Sequence, residues 1–157
     1  MSRLRTVSRR TFLVGSAAIA GGVAFGTYAA RKPIPNPLLD GLSDGEAAIT
    51  PYVKIDATGI TLITPRADMG QGSYSMQAHL IAEELDIDPG TATITPGMPG
   101  PAYFNGTVLQ EAVPFPAYDE SAIAEAMRDF MAVPAKVFEI QLTGGSSTVP
   151  DSFVNLR

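Results

Sequence analysis

Hydrophobic and polar positions change their period several times along the chain, and each change marks an element. Residues 12–30 are uncharged and mildly apolar, a run suited either to the apolar core of an export signal or to a membrane anchor. Residues 31–50, which include KPIPNPLLDGLSDGEA, keep neither a helical nor an alternating period and are expected to form a linker or a surface strap. Two β-rich runs follow, 52–55 and 60–64, separated by Asp56-Ala57-Thr58-Gly59; that pattern predicts a hairpin with glycine near its turn. Past a glycine loop, Tyr74, Met76, Ala78, Leu80, Ile81, Ala82 and Leu85 recur at three and four positions, with Glu83, Glu84 and Asp86 on the other side. This spacing predicts an amphipathic helix stopped by Asp88-Pro89-Gly90.

Residues 91–95 alternate as a strand should, and the prolines of PGMPGPAYFNG end it. YDESAIAEAMRDFMAVP predicts a second helix that starts near Asp119 or Ser121 and buries Ile123, Met127, Phe130 and Met131. Strands and helices mix without βαβ regularity, so the fold class is α+β. TGGSSTVPDSFVNLR passes through a glycine-serine loop into a helix expected near Pro150 or Asp151, scarcely two turns long. So short a helix is marginal alone and nothing downstream is there to pack on it. The expectation is a partial domain over residues 51–157, truncated at its C-terminus.

The N-terminal run changes its meaning once charge is considered. Arg3, Arg5, Arg9 and Arg10 precede it with no acid, and Ser8-Arg9-Arg10-Thr11-Phe12-Leu13 matches the twin-arginine export signal. Residues 1–30 are therefore expected to be a signal peptide, with small residues at Thr27 and Ala29 offering a cleavage point. The protein is expected to be periplasmic or exported through the twin-arginine machinery, and membrane-anchored where the signal stays uncleaved. That route carries folded proteins, often with a cofactor already inserted. Cleavage would remove four of eleven basic residues and none of sixteen acidic ones. Such acidity disfavours DNA, RNA or anionic membranes as partners. A 45% hydrophobic and 17% charged composition suits a globular core. With no cysteine, disulfides and thiolate metal sites within the chain are excluded.

Two glycine loops carry the candidate chemistry. Met69-Gly70-Gln71-Gly72 lies between a strand and a helix, where glycine admits φ > 0 and helix-start N–H groups favour anions. Gln71 can donate to and accept from a heterocycle edge. The dinucleotide fingerprint would need a third glycine where Ser75 stands and a parallel βαβ unit, and a Walker loop would need Gly-Lys-Ser/Thr. Thr143-Gly144-Gly145-Ser146-Ser147-Thr148 repeats the design, with hydroxyls and bare N–H groups suited to phosphate oxygens. Taken alone, the first loop reads equally as a tight turn with a helix cap, and the second as a polar linker or an N-cap with Asp151. Arg66 and Asp68 flank the first loop as braces, and Arg66 is a phosphate candidate by charge. Glu83 and Glu84 read as a solvated face, His79 as a helix-margin residue, and Tyr103-Phe104-Asn105 as core or subunit contact.

Together, PYVKIDATGITLITPRADMGQGSYSMQAHLIAEELDID and QLTGGSSTVPDSFVNLR resemble the start of the molybdopterin-binding large subunit of xanthine oxidase family hydroxylases, in the exported branch typified by isoquinoline 1-oxidoreductase subunit beta. The resemblance implies a pterin cofactor, molybdopterin as the molybdenum cytosine dinucleotide, held by the loops at Met69, Gly70, Gln71 and Gly72 and at Thr143, Gly144, Gly145, Ser146, Ser147 and Thr148. It also implies hydroxylation of a small aldehyde or N-heterocycle with water-derived oxygen, and a partner iron–sulfur small subunit with two 2Fe–2S clusters. No residue here matches the family's catalytic glutamate, so the chain alone is expected to be inactive. A different class of protein, an exported non-catalytic binding or interaction module, would use the same loops structurally.

Overall fold

The computed structural model describes residues 9–157, with side chains from Arg10 onward. The opening of the twin-arginine motif, up to Ser8, lies outside the described residues. These residues form two compact units, divided between Lys32 and Pro33. The first is a helix, α1 (Arg9–Arg31), of 23 residues. At 1.5 Å per residue it is about 35 Å long. By length and composition it could cross a membrane, a property shared with signal sequences near an N-terminus.

In the second unit, β1 (Ala47–Thr50), β2 (Val53–Asp56), β3 (Gly59–Thr64) and β4 (Thr93–Pro96) form one sheet in that order. β2 and β3 make the expected hairpin, with Val53 opposite Leu62 and Asp56 opposite Gly59. β1 pairs with β2 although it lies in the stretch expected to be a linker or surface strap. Four residues are too few to show a period, so the strand was invisible in the pattern.

α2 (Ser73–Glu84) returns the chain so that β4 runs parallel to β3, with Thr61 opposite Thr93 and Ile63 opposite Thr95. This is a parallel βαβ unit, contrary to the expectation that none is present. β4 is short, and all four of its residues are exposed. It therefore lacks the apolar run by which a buried parallel strand is recognised. The sheet is mixed, and the fold is α+β.

Both faces of β3 are covered, since Leu62, Ile63 and Thr64 are all buried. On one face Val53 and Leu62 meet Ala78, Ile81 and Ala82 of α2, together with Leu156. On the other, Ile63 packs on Ala102 and Tyr103, from a single 3-10 turn at Pro101–Tyr103. Two tyrosines lock that face reciprocally. The Tyr103 hydroxyl donates to the Pro51 carbonyl at 2.8 Å, and the Tyr52 hydroxyl donates to the Ala102 carbonyl at 3.3 Å.

The one-turn α3 (Thr107–Gln110) packs against α4 (Ala122–Val137), which Ser121 caps by accepting from the Ala124 N–H. The buried residues of α4 are Ala124 and Ala135, not the expected Ile123, Met127, Phe130 and Met131. Ile123 and Phe130 are 63% and 71% exposed. Close packing explains the reversal: a Cβ at Gly106 would sit 3.4 Å from the Ala132 Cβ, so the small-residue side faces inward and the large side outward.

α5 (Thr148–Asn155) starts earlier than expected and packs upstream on α2, with Leu156 in the main core. The helix therefore does not lack a packing surface.

Candidate functional site

β3 delivers the first loop at its carboxyl end, the position where ligands enter open α/β sheets. Gly70 (φ +98) and Gly72 (φ +80) take left-handed conformations there, and Gly72 caps α2. The helix entrance already holds an anion. Asp68 accepts from Tyr74 N at 2.8 Å and from Gly70 N at 2.7 Å. The Tyr74 and Gly70 N–H groups, in that order, hold its carboxyl below the ordinary value. A side chain of this protein therefore fills the anion seat that the sequence offered to phosphate.

Gln71 laces the loop together. Its Nε2 donates to the Ala67 carbonyl at 3.0 Å and to Ser73 Oγ at 3.3 Å, while its Oε1 accepts from Met69 N at 2.5 Å. The amide expected to read a heterocycle is thus largely engaged with its own turn, with acceptor capacity remaining only at Oε1.

The second loop arrives from 76 residues away. Ala67 N donates to Thr143 Oγ1 at 3.0 Å, tying the two loops directly. Gly145 (φ +59) and Ser146 (φ +57) are both left-handed, as at the centre of a primed turn. Ser147 closes that turn through its N–H and its hydroxyl, both donating to the Gly144 carbonyl.

Beneath the loops lies a buried polar hub, whose joining of Arg66, Asn105 and Asp151 with Gln77 the sequence did not reveal. Arg66 donates to the Tyr103 carbonyl at 2.6 Å and the Phe104 carbonyl at 2.8 Å, and forms an ion pair with Asp151. Asp151 also accepts from Gly106 N at 3.0 Å. Asn105 donates to the Leu142 carbonyl and to Ser147 Oγ, each at 2.8 Å, and accepts from Val108 N. Gln77 accepts from Arg66 N at 2.9 Å and donates to the carbonyls of Arg66 and Ser73. Arg66 is therefore a brace, as one reading had it, and its charge is spent inside the protein instead of on a phosphate.

Above the hub, Met69, Gln71, Thr143, Gly144, Ser146 and Thr148 line an open cavity of about 580 Å³, which Val149 completes. Six of the ten candidate residues thus come together. Gly70 and Gly72 shape the turn, Gly145 sits with its Cβ direction toward Glu111, and Ser147 is fully buried with its hydroxyl committed internally. No lining residue is charged. The wall offers hydroxyls, peptide groups and two apolar flanks, which suits an uncharged polar ring better than a phosphate. Among the described residues no group of His, Cys, Asp and Glu is arranged to hold a metal ion. His79 stands apart on the exposed side of α2, its Nδ1 2.6 Å from the Ser75 carbonyl.

Over 85 residues the chain is 34% identical to isoquinoline 1-oxidoreductase subunit beta of Brevundimonas diminuta, an alignment covering 52% of this chain and 10% of that protein. The chain thus spans about a tenth of that relative's length, and over this stretch it is related to an oxidoreductase subunit. No protein-family model and no solved structure matches.

Proposed function

We propose that this chain supplies one wall of a cofactor cradle in a molybdenum hydroxylase of the xanthine oxidase type, with its two loops seating the uncharged pterin ring. One observation carries the reading: the Ala67–Thr143 hydrogen bond joins two distant loops around a single cavity lined by six candidate residues. The partial likeness to isoquinoline 1-oxidoreductase subunit beta supports the same class.

The residues present fit the ring and not the phosphates of such a group. Thr143, whose oxygen already accepts from Ala67 N, keeps its O–H to donate, and Ser146 and Thr148 add two further hydroxyls. Met69 and Val149 supply apolar flanks, and Asp68 at the start of α2 repels phosphate. When bound, molybdopterin supplies the metal-centred oxidation of an aldehyde or N-heterocycle carbon. The residues of this chain bind and orient it; the cavity wall contains no general base. The base, the phosphate contacts and the iron–sulfur electron acceptor then belong to other parts of the enzyme. Arg9 and Arg10 support export of the loaded protein through the twin-arginine route.

A second reading, an interaction module with structural loops, is favoured by the internal bonding of Gln71 and Ser147. Co-expression with molybdenum cofactor machinery separates the two. Released pterin fluorescence and molybdenum that copurify with the chain, and fall in Ser146→Gly, support the cradle; a chain free of both supports the module. Aldehyde oxidation by the chain alone would contradict the assignment of the base to another part.

A further inference from the structure

α1 presents apolar side chains in every direction. Successive helical residues point about 100° apart, so Phe12, Leu13 and Val14 alone face three different ways, and Ile19, Val23, Phe25 and Tyr28 continue the cover along the helix. All seven are 60–71% exposed. Gly15, Gly22 and Gly26 fall in the sector between them, with open space beside each. No charge interrupts residues 11–30. The helix therefore lacks the charged face by which an amphipathic helix lies flat in a headgroup layer. A soluble partner would cover one side of it and leave the others in water, whereas hydrocarbon covers all sides at once. Length agrees. The helix of 23 residues is about 35 Å long, and a hydrocarbon layer of about 30 Å needs about 20. Arg9 and Arg10 open it and Arg31 closes it, which sets charge at both headgroup layers.

We infer that α1 is a membrane anchor that the exported protein keeps, spanning a lipid bilayer once. The small-residue cleavage point at Thr27 and Ala29 lies inside the helix and is not cut. A peptidase takes its substrate as an extended strand, and α1 runs unbroken through this point, with the Lys32 N–H donating to the Tyr28 carbonyl at 2.9 Å. Ala29 is itself buried, and the first proline able to stop the helix is Pro33, beyond the cleavage point. Arg3, Arg5, Arg9 and Arg10 precede the span and only Arg31 and Lys32 follow closely, so the amino end stays cytoplasmic. The anchor goes beyond the cofactor reading and does not rest on it.

The chain has no tryptophan and no cysteine, so single introduced probes report without background. In the full-length chain bound to phosphatidylcholine vesicles, Ile19→Trp is quenched most by lipids brominated deep in the acyl chain. Tyr118→Trp, at an 85% exposed position of the second unit, is not quenched. Ile19→Arg with Val23→Arg weakens vesicle binding at least about tenfold while leaving the thermal unfolding of the second unit unchanged. In cells with twin-arginine machinery, the chain resists alkaline carbonate extraction and its intact mass includes residues 1–30. On spheroplasts an impermeant maleimide labels Tyr118→Cys and spares Ser2→Cys. Gly26→Pro with Thr27→Ala breaks the helix ahead of Ala29 and releases a soluble chain that begins at Ala30. A parent chain that begins at Ala30, extraction by carbonate, or quenching at position 19 only by lipids brominated near the headgroup would overturn the anchor. Labelling at position 2 alone would overturn its orientation, and an uncut Gly26→Pro with Thr27→Ala chain would overturn the helix as the cause of retention.

Discussion

Arg66 and Asp151, 85 residues apart in sequence, form an ion pair in which both side chains are almost fully enclosed. Arg66 lies two residues beyond the end of β3 and Asp151 sits in the first turn of α5, so this pair fixes the second loop to the first. Removing one partner of a buried pair leaves an uncompensated charge. Asp151→Ala is expected to cost about 3–5 kcal/mol in urea unfolding, while the apolar double replacement Arg66→Met with Asp151→Leu costs less than either single change.

Neighbouring serines in the second loop should behave oppositely. Ser147→Ala leaves the buried Asn105 amide short of one acceptor, an expected loss of about 1–3 kcal/mol in the same unfolding measurement. Ser146→Gly, at an exposed left-handed position, should change stability by less than about 0.5 kcal/mol and instead weaken pterin binding.

The sequence made much of this legible, and the exceptions share a cause. The hairpin, α2 and the two glycine loops announce themselves through local period and turn chemistry. β1 does not, because four residues hold too little pattern and its identity comes from the partner strand, whereas β4 was expected as a strand over 91–95 and only its parallel pairing with β3 was not. The inward side of α4 was misjudged because alanines packing beside Gly106 outcompete the large apolar stripe. Gln77 is buried by bonds to the backbone of Arg66 and Ser73, and Asn105 by bonds to Leu142 and Ser147 much farther along the chain, which a helical or turn pattern does not record. Arg66 illustrates the same limit for charge. Its proximity to a glycine loop pointed to a ligand, while its true partner lies near the far end of the chain.

Tyr52 should give the protein an alkaline limb. Burial, and then the negative charge of Asp151, push its hydroxyl up to about 12 from the ordinary 10.0. The folded state therefore keeps a proton that the unfolded state releases. The resulting stability is fully present below pH 10 and is lost as pH rises toward 12, by about 2–3 kcal/mol. Phenolate absorbance followed alongside unfolding should show this limb, and Tyr52→Phe should flatten it.

Asp68 predicts an effect at the opposite end of the scale. Its lowered carboxyl value means that its stabilising bonds are present above 3.8 and are lost as pH falls through the folded value. Asp68→Ala also frees the Gly70 and Tyr74 N–H groups. Inorganic phosphate should then perturb those two amide signals in the variant and leave them unchanged in the parent chain.

The cradle itself is tested most directly by amide chemical-shift titration of the chain with a neutral pterin, run beside inorganic phosphate. The account predicts saturable shifts for the pterin at Met69, Thr143, Gly144, Ser146, Thr148 and Val149, spanning both loops, and none there for phosphate. Pterin shifts confined to one loop, shifts scattered away from the cavity, or a response to phosphate alone would contradict it.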